Sequence, residues 1–184
     1  LILAMYSGGL DSLGMIYKLL TAPEYEGYGV HIHHVHIKNV ENRHHAEAII
    51  VQQALAELTR LGLRYHYSTS EISVPVYNQQ FMYDTDVTNF FAGSICTMNP
   101  DIAKVAMGMT ATDSGYSIEE RRRRANQILA AFTPVEKIYP VLTMSKQEIY
   151  DSLPESLRDL FWSCRTPVHT DNGIEACGRC KARR

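Results

Sequence analysis

The residues with the clearest chemical potential lie near the start of the chain, in the segment Ser7-Gly8-Gly9-Leu10-Asp11-Ser12. Glycines in such a turn let the backbone approach a ligand closely. The free N–H groups and the dipole at the start of the following helix favour an anion. Ser7 and Ser12 add hydroxyl donors, and Asp11 can hold the loop or a Mg²⁺ ion. The segment predicts a phosphate-binding loop, although its glycines alone would also fit an ordinary strand-to-helix turn.

Three of the four cysteines form a second candidate site within the last 21 residues. Cys177 and Cys180 make a C-x2-C knuckle, which places two thiolates on one tight loop for Zn²⁺, and Cys164 precedes it by 13 positions. His169 is our first choice for a fourth ligand; Asp171, a cysteine beyond this sequence and water are the alternatives. We expect a structural zinc ion that pins the tail, against the alternative of three free cysteines.

Six of the eight histidines lie between residues 31 and 45. A metal cluster is one interpretation of this density. However, histidines at the carboxyl end of a parallel strand more often line a pocket or fill a polar core. We therefore expect His34, His36 or His44 to hydrogen-bond a ligand or to carry a proton.

Two further groups follow the predicted fourth strand. Asp113 would face the same crevice as the loop, where it could bind Mg²⁺ or accept hydrogen bonds from a purine-like base. The alternative is a turn-forming Asp before Ser-Gly. Arg121 to Arg124 open a helix, and such a charge run is usually a solvated face. One or two of these arginines could instead pair with a carboxylate or a phosphate.

The hydrophobic pattern predicts the elements that must position these groups. Strands are predicted at residues 1–6, 28–37, 63–67, 104–109 and around Ile138, and helices at residues 11–20, 45–61, 87–96, 117–132 and after Ser145. Capping boxes begin at Ser117 and Ser145. This alternation predicts an α/β fold, a doubly wound parallel sheet of five strands covered on both faces. We expect residues 1–160 to form this domain and residues 161–184 to form a zinc-binding tail packed on it.

Composition and charge exclude several classes of protein for this chain. The chain has 184 residues, 45% of them hydrophobic and 21% charged, which argues against disorder. A net charge of −2 gives no chain-wide basic field, so we do not expect a nucleic-acid partner. No run of about 18 apolar residues predicts a membrane span. With few cysteines and no signal-peptide pattern, the expected location is cytoplasmic.

The loop string S-G-G-x-D-S resembles the signature of the PP-loop (N-type) ATP pyrophosphatases. The rest of the chain resembles one branch of that family, the 7-cyano-7-deazaguanine synthases of the queuosine pathway. Besides the loop, four stretches carry the resemblance: residues 42–47 (Q-R-H-x-x-E in the family), Gly108 with residues 113–116 (G-x4-D-x-S-G-Y), residues 139–142 with 145–149 (P-L…T-K-x-E-I), and residues 163–164 with 177–180 (S-C…C-G-x-C).

The resemblance implies an adenine nucleotide alpha hydrolase-like fold and an ATP-dependent carbon–nitrogen ligase. The carboxylate of 7-carboxy-7-deazaguanine would be adenylated and would react with ammonia, giving the amide and then the nitrile. ATP, Mg²⁺ and Zn²⁺ are the implied cofactors. Catalysis is expected to involve Asp11, Ser12, His44 and Asp113. Nucleotide binding is expected at Ser7, Gly8, Gly9, Leu10, Asp11, Ser12, His36 and Gly108.

Three departures from the family pattern favour a diverged relative, of the kind found in phage base-modification pathways or bacterial defence operons. Asp84-Thr85-Asp86 stand near the place where the family usually has a Gly-Arg-Asn stretch. Ser117-Ile118 stand where the family has Pro-Asp, and Arg183 stands where its fourth zinc cysteine would fall. The rival interpretations are a tRNA-modifying PP-loop enzyme, a regulatory subunit that binds nucleotide without chemistry, and a relative that conjugates its substrate to a macromolecule. A homodimer is left open.

Overall fold

Five parallel strands form the central sheet of the computed structural model, which describes residues 1–73, 83–110, 116–171 and 173–180, with the side chains of residues 116–118 excepted. In chain order the elements are β1 (Ile2–Met5), α1 (Leu10–Thr21), β2 (Val30–Lys38), α2 (His44–Arg60), β3 (His66–Ser73), α3 (Asp84–Met98), β4 (Lys104–Met107), α4 (Tyr116–Ala130), β5 (Glu136–Ile138), α5 (Lys146–Ser152), β6 (Val168–Thr170) and β7 (Gly173–Glu175). The expected α/β fold with five parallel strands is confirmed.

Alternate residues of the strands face two separate cores. On one side, Ile2 and Ala4 of β1 pack with the buried faces of α1, α2 and α5. On the other side, Leu3 and Met5 pack with α3 and α4. Helices therefore cover both faces of the sheet, as a parallel sheet requires. This two-sided burial explains why β1 is an unbroken apolar run in the sequence.

The strand order is β3-β2-β1-β4-β5. The chain moves outward from β1 to β2 and β3, and then crosses back to place β4 on the other side of β1. The connections that leave β1 and β4 therefore diverge, which opens a crevice at the carboxyl ends of these two strands. The Ser7–Ser12 loop follows β1 at this point and Gly108 follows β4.

Some predicted boundaries were wrong. The third strand was expected at residues 63–67 but spans His66–Ser73. Leu63 and Tyr65 supplied the apolar signal, yet they precede the strand and pack as loop residues against the core. The strand itself is a half-exposed edge, so its polar sequence hides it. Helix α4 begins at Tyr116, one residue before the Ser117 predicted as its cap.

The capping box at Ser145 is confirmed. Ser145 Oγ accepts the Glu148 N–H at 3.2 Å, and the Glu148 carboxylate accepts the Ser145 N–H at 2.7 Å. Beyond residue 160 the chain forms a short antiparallel hairpin of β6 and β7. None of the helices in the described ranges is long and apolar enough to cross a membrane.

Candidate functional site

The loop after β1 is held by its own hydroxyl groups and by the tail. Ser12 Oγ lies 3.0 Å from Ser7 Oγ, donates to the Gly9 carbonyl at 3.0 Å and accepts the Ser7 N–H at 3.3 Å. Gly8 has a φ of +81°, a conformation that favours glycine, and its carbonyl accepts the Trp162 N–H at 2.8 Å. The two hydroxyls are therefore fixed beside the start of α1, which is the usual place for a phosphate group.

Gly108 brings β4 against this loop. A Cβ atom at Gly108 would lie 2.7 Å from the backbone nitrogen and Cα of Ser12. Real Cβ atoms do not approach backbone that closely, so only glycine fits. This contact closes one side of the crevice and places Gly108 on the same cavity wall as Ser7 and Ser12.

A cavity of about 430 Å³ extends from the loop between the sheet and the two helices α3 and α4. Met5, His33 and Met107 form its floor on three adjacent strands. Its size suits a small molecule, and its position matches the switch point of the sheet. Asn89 of α3 and Lys137 of β5 are among the residues that form its walls.

A network of charged groups forms one end of the cavity. Arg43 pairs with Glu41 at 2.8 Å, with Glu47 at 3.1 Å and with Asp84. Arg165 from the tail pairs with Glu41 at 3.1 Å. Glu47 is 6% exposed, and burial raises its pKa to about 7 although Arg43 opposes this shift. Glu47 can therefore exchange a proton near neutral pH, which suits a general acid or base.

The cavity is also lined by three further cations, Arg121, Arg122 and Lys137. Burial, and then the neighbouring charge of Arg122, lower the pKa of Lys137 to about 8. Two members of the predicted arginine run therefore face the cavity. The exposed Arg123 and the Asp86-paired Arg124 are not among its lining residues.

The structure places the remaining predicted site residues as follows. Asp11 forms an ion pair with Lys146 of α5 at 3.0 Å, and Leu10 begins α1 after Gly9. His44 begins α2, with its ring 4.0 Å from that of His45. Asp11, His36 and His44 are not among the described residues that line the cavity.

His36 packs on the α1–α2 side of the sheet, where its ring centroid lies 4.5 Å from that of His34. His34 Nδ1 lies 2.7 Å from the Tyr6 carbonyl oxygen in a buried setting. The strand alternation puts His33, rather than these two, on the cavity floor. Asp113, the fourth predicted catalytic residue, lies outside the described residues.

The three tail cysteines converge as predicted. Their Sγ atoms lie 3.4 Å (Cys164–Cys177), 3.4 Å (Cys177–Cys180) and 3.8 Å (Cys164–Cys180) apart. A zinc ion with Zn–S bonds of about 2.3 Å needs tetrahedral edges of about 3.8 Å. These three thiols therefore fit one shared metal ion, and they are the only such group within the described ranges.

The sulfurs of Cys177 and Cys180 accept hydrogen bonds that favour their thiolate form, which is the form that binds a cation. Cys177 Sγ accepts the Thr166 hydroxyl at 3.3 Å and the Arg179 N–H at 3.4 Å, and these bonds lower the pKa of its thiol. A lower pKa raises the thiolate fraction that binds metal. Cys180 Sγ accepts the Arg165 N–H at 3.4 Å.

His169, the predicted fourth ligand, is not part of the cysteine group. Its Nε2 lies 3.1 Å from Asn42 Nδ2. The short hairpin places this side chain against the loop before α2 and away from the sulfurs. The position of Arg183 lies outside the described residues.

The sequence analysis did not identify several residues that line the site. Glu47 sits in an i, i+4 pair with Arg43, a spacing that was visible in the sequence. His33 belongs to the histidine cluster that the sequence analysis noted, but its place on the cavity floor was not predicted. Lys137 and Asn89 had no local signal, because only the packing of α3 and α4 on the sheet makes them part of the cavity wall.

No protein-family model matches this chain, and no curated protein matches it at a significant level. Among solved structures, the U34-tRNA thiolase NcsA from Methanococcus maripaludis, with its [4Fe-4S] cluster, is similar, with a TM-score of 0.50 and 16% sequence identity. The match covers 80% of this chain and 54% of that one, so this chain spans about half of that protein's length. The likeness shows that the two proteins share an α/β fold.

Proposed function

We propose that this protein is an ATP-dependent enzyme that binds the phosphates of ATP on the Ser7–Ser12 loop and adenylates an acceptor in the adjoining cavity. The observation that carries the proposal is the close contact of Gly108 with the backbone of Ser12, beside the paired hydroxyls of Ser7 and Ser12. This arrangement places the start of α1, with its backbone N–H groups and its dipole, beside the crevice.

The chemistry follows from these positions. An oxygen of the acceptor attacks the α-phosphorus of ATP, and the bond from that phosphorus to the α–β bridging oxygen breaks. Pyrophosphate leaves with the electron pair, and its growing charge is stabilised by the loop N–H groups and hydroxyls. Holding both reactants in one cavity supplies proximity. Glu47 can take a proton from the acceptor or from an incoming amine, because its pKa is about 7.

A Mg²⁺ ion would neutralise part of the triphosphate charge, and such an ion takes one or two protein carboxylates besides phosphate oxygens. Glu47 and Asp84 are the described carboxylates that line the cavity. Asp11 would have to leave Lys146 to join them. The cysteine group fits zinc, which would hold the tail rather than enter the reaction.

For the acceptor, we propose the carboxylate of a 7-deazaguanine-type base, converted with ammonia to the amide or nitrile. The resemblance in residues 42–47 and 163–180 supports this choice, and the cations of the cavity suit a carboxylate. The sulfur spacing favours a single ion over a [4Fe–4S] cluster, in which each cysteine binds a different iron.

The test combines the protein with ATP, Mg²⁺, ammonia and 7-carboxy-7-deazaguanine. We expect pyrophosphate release that depends on the base, with the amide or nitrile found by mass spectrometry. Parallel reactions contain unmodified tRNA or unrelated carboxylates. Turnover with one of those alone would retain the ATP chemistry and overturn the acceptor. No ATP binding by calorimetry would overturn the proposal as a whole.

A further inference from the structure

Arg122 of α4 and Lys137 of β5 are built into the cavity wall but lack counterions among the residues that the structure describes. Arg122 Nε is buried without a hydrogen-bond partner, and Arg122 Nη2 contacts Met109 Sδ at 3.0 Å. Lys137 Nζ donates to the neutral Asn126 Oδ1 at 2.8 Å. Within the part of the chain that the structure describes, neither cation forms an ion pair with an acid.

Such an arrangement is costly unless a ligand completes it. A partly buried charge without a partner loses hydration free energy, and no ion pair offsets that loss. Arg122 and Lys137 also repel each other, which contributes to the low pKa of Lys137. An anion between them would relieve both costs at once.

The position of Lys137 separates this feature from the phosphate loop. Lys137 pairs in register with Val105 of β4, and Val105 pairs with Leu3 of β1. Two strand spacings of about 4.8 Å put the backbone of Lys137 roughly 10 Å from the strand that carries the loop. A phosphate held by Ser7 and Ser12 therefore leaves this end of the cavity to a second ligand.

Two neutral polar atoms line the cavity on the other side of β1 from Lys137, on β2 and α3. His33 and Asn89 are 2% and 3% exposed, and both line the cavity. Among the described residues, His33 Nε2 and Asn89 Oδ1 have no hydrogen-bond partner, whereas His33 Nδ1 already contacts Ser68 Oγ and Asn89 Nδ2 donates to the Thr85 carbonyl. Buried polar atoms without partners in a cavity wall are usually completed by a ligand or water.

We propose that Arg122 and Lys137 form the subsite for the acid group of the acceptor, while His33 and Asn89 hydrogen-bond its neutral polar edge. This inference rests on the proposed function, since it assumes that an acceptor enters beside ATP. It identifies the acceptor class as a small acid, a carboxylate or phosphate on a flat polar body. The floor of Met5 and Met107 supplies the apolar contact that such a body needs.

The test uses inorganic phosphate as the generic anion. Calorimetry is done on protein saturated with a non-hydrolysable ATP analogue, so that the loop is occupied. We expect Lys137→Met to weaken phosphate binding at least tenfold and Lys137→Arg to restore most of it. The matched control is Arg123→Met, which removes an exposed cation from the same helix as Arg122. This control should bind phosphate like the wild type.

The outcomes separate the two proposals. Equal phosphate binding by the wild type and Lys137→Met would overturn the subsite. A parallel loss of affinity for the ATP analogue would assign the pair to the nucleotide phosphates, and would also overturn it. Absence of analogue binding would overturn the proposed function alone, because phosphate titration without the analogue still tests Lys137. Thermal melting confirms that each variant is folded.

Discussion

Glu47 carries a carboxyl group whose charge changes near neutral pH. Burial raises its pKa to about 7 from a usual value of 4.5. Between those two values the folded state holds a proton that the unfolded state has lost. The contribution of Glu47 to the free energy of unfolding therefore falls as pH rises through this window, and it stays low above pH 7.

The variant Glu47→Gln has no titrating group at this position, so it should not show this fall in the free energy of unfolding as pH rises. We expect the free energy of unfolding of the variant, relative to the wild type, to rise by on the order of 2 kcal/mol from pH 4.5 to pH 7.5. Urea unfolding at several pH values measures it. The exposed Glu120→Gln is the control and should follow the wild type. Parallel curves for Glu47→Gln and the wild type would show that folding does not raise the pKa of Glu47.

Gly108 offers a test of the close contact that defines the nucleotide site. In Gly108→Ala the new Cβ would overlap the backbone of Ser12, so the start of α1 or the end of β4 must move. We expect a stability loss of about 1–3 kcal/mol and weaker ATP binding.

Gly9→Ala is the matched control for stability. Gly9 has a φ of −87°, and a Cβ there would meet its nearest neighbours at 3.6 and 3.8 Å, which is ordinary contact. Its melting temperature should stay within a few degrees of the wild type, as expected for a substitution without strain. Equal melting temperatures for Gly108→Ala and Gly9→Ala would contradict the steric argument.

At the scale of elements, Asp11 and Lys146 join the starts of α1 and α5. Both side chains are partly exposed, so the pair should add less than about 1 kcal/mol to stability. Its expected role is to fix the loop. We predict that Asp11→Ala lowers the rate of adenylation about 10²–10³-fold with a nearly unchanged melting temperature.

Lys146→Ala and the charge-conserving Lys146→Arg complete this test. If the pair positions the loop, Lys146→Ala should share part of the loss seen in Asp11→Ala, and Lys146→Arg should recover it. Pyrophosphate release is the measurement. Wild-type rates in Asp11→Ala would show that the loop is only a turn.

Local pattern was enough to predict the elements of the central sheet and its helices, but not all of their bounds, and it did not predict the β6–β7 hairpin. β1 was clear as an apolar run before Gly8 and Gly9, and α1 as a helical apolar repeat before Pro23. The edge strand β3 was misplaced because half-exposed strands carry few apolar residues. The site residues within the loop could be predicted from their local sequence. The roles of Lys137 and His33 could not, because strands and helices far apart in the chain bring them to one cavity.

At the scale of the whole molecule, the tail connects the cysteine group to the nucleotide site. Trp162 donates its backbone N–H to the Gly8 carbonyl, and its indole N–H donates to the Cys164 carbonyl at 2.7 Å. Arg165 lies between a cysteine sulfur and Glu41. A metal ion held by the cysteines would therefore fix both the phosphate loop and one end of the cavity.

We expect about one zinc ion per chain in the purified protein, and we expect Cys177→Ser to lose it and to melt at a lower temperature. Elemental analysis and thermal melting measure this. Cys96→Ala is the control, because Cys96 is buried in α3 and is not part of the tail group. A metal-free protein that keeps its full stability in a chelator would contradict the zinc assignment.

Metal removal should also weaken ATP binding, because the tail holds the loop through Trp162. Trp162 is the single tryptophan of the chain, so its fluorescence reports on the segment that joins the loop to Cys164. We expect a red-shifted emission and a several-fold weaker ATP affinity after chelation, with both restored when zinc is added back. Cys177→Ser should match the chelated protein, whereas Cys96→Ala should match the wild type. If the emission shifts but the ATP affinity does not change, the tail does not set the geometry of the loop, and the nucleotide site is complete within residues 1–160.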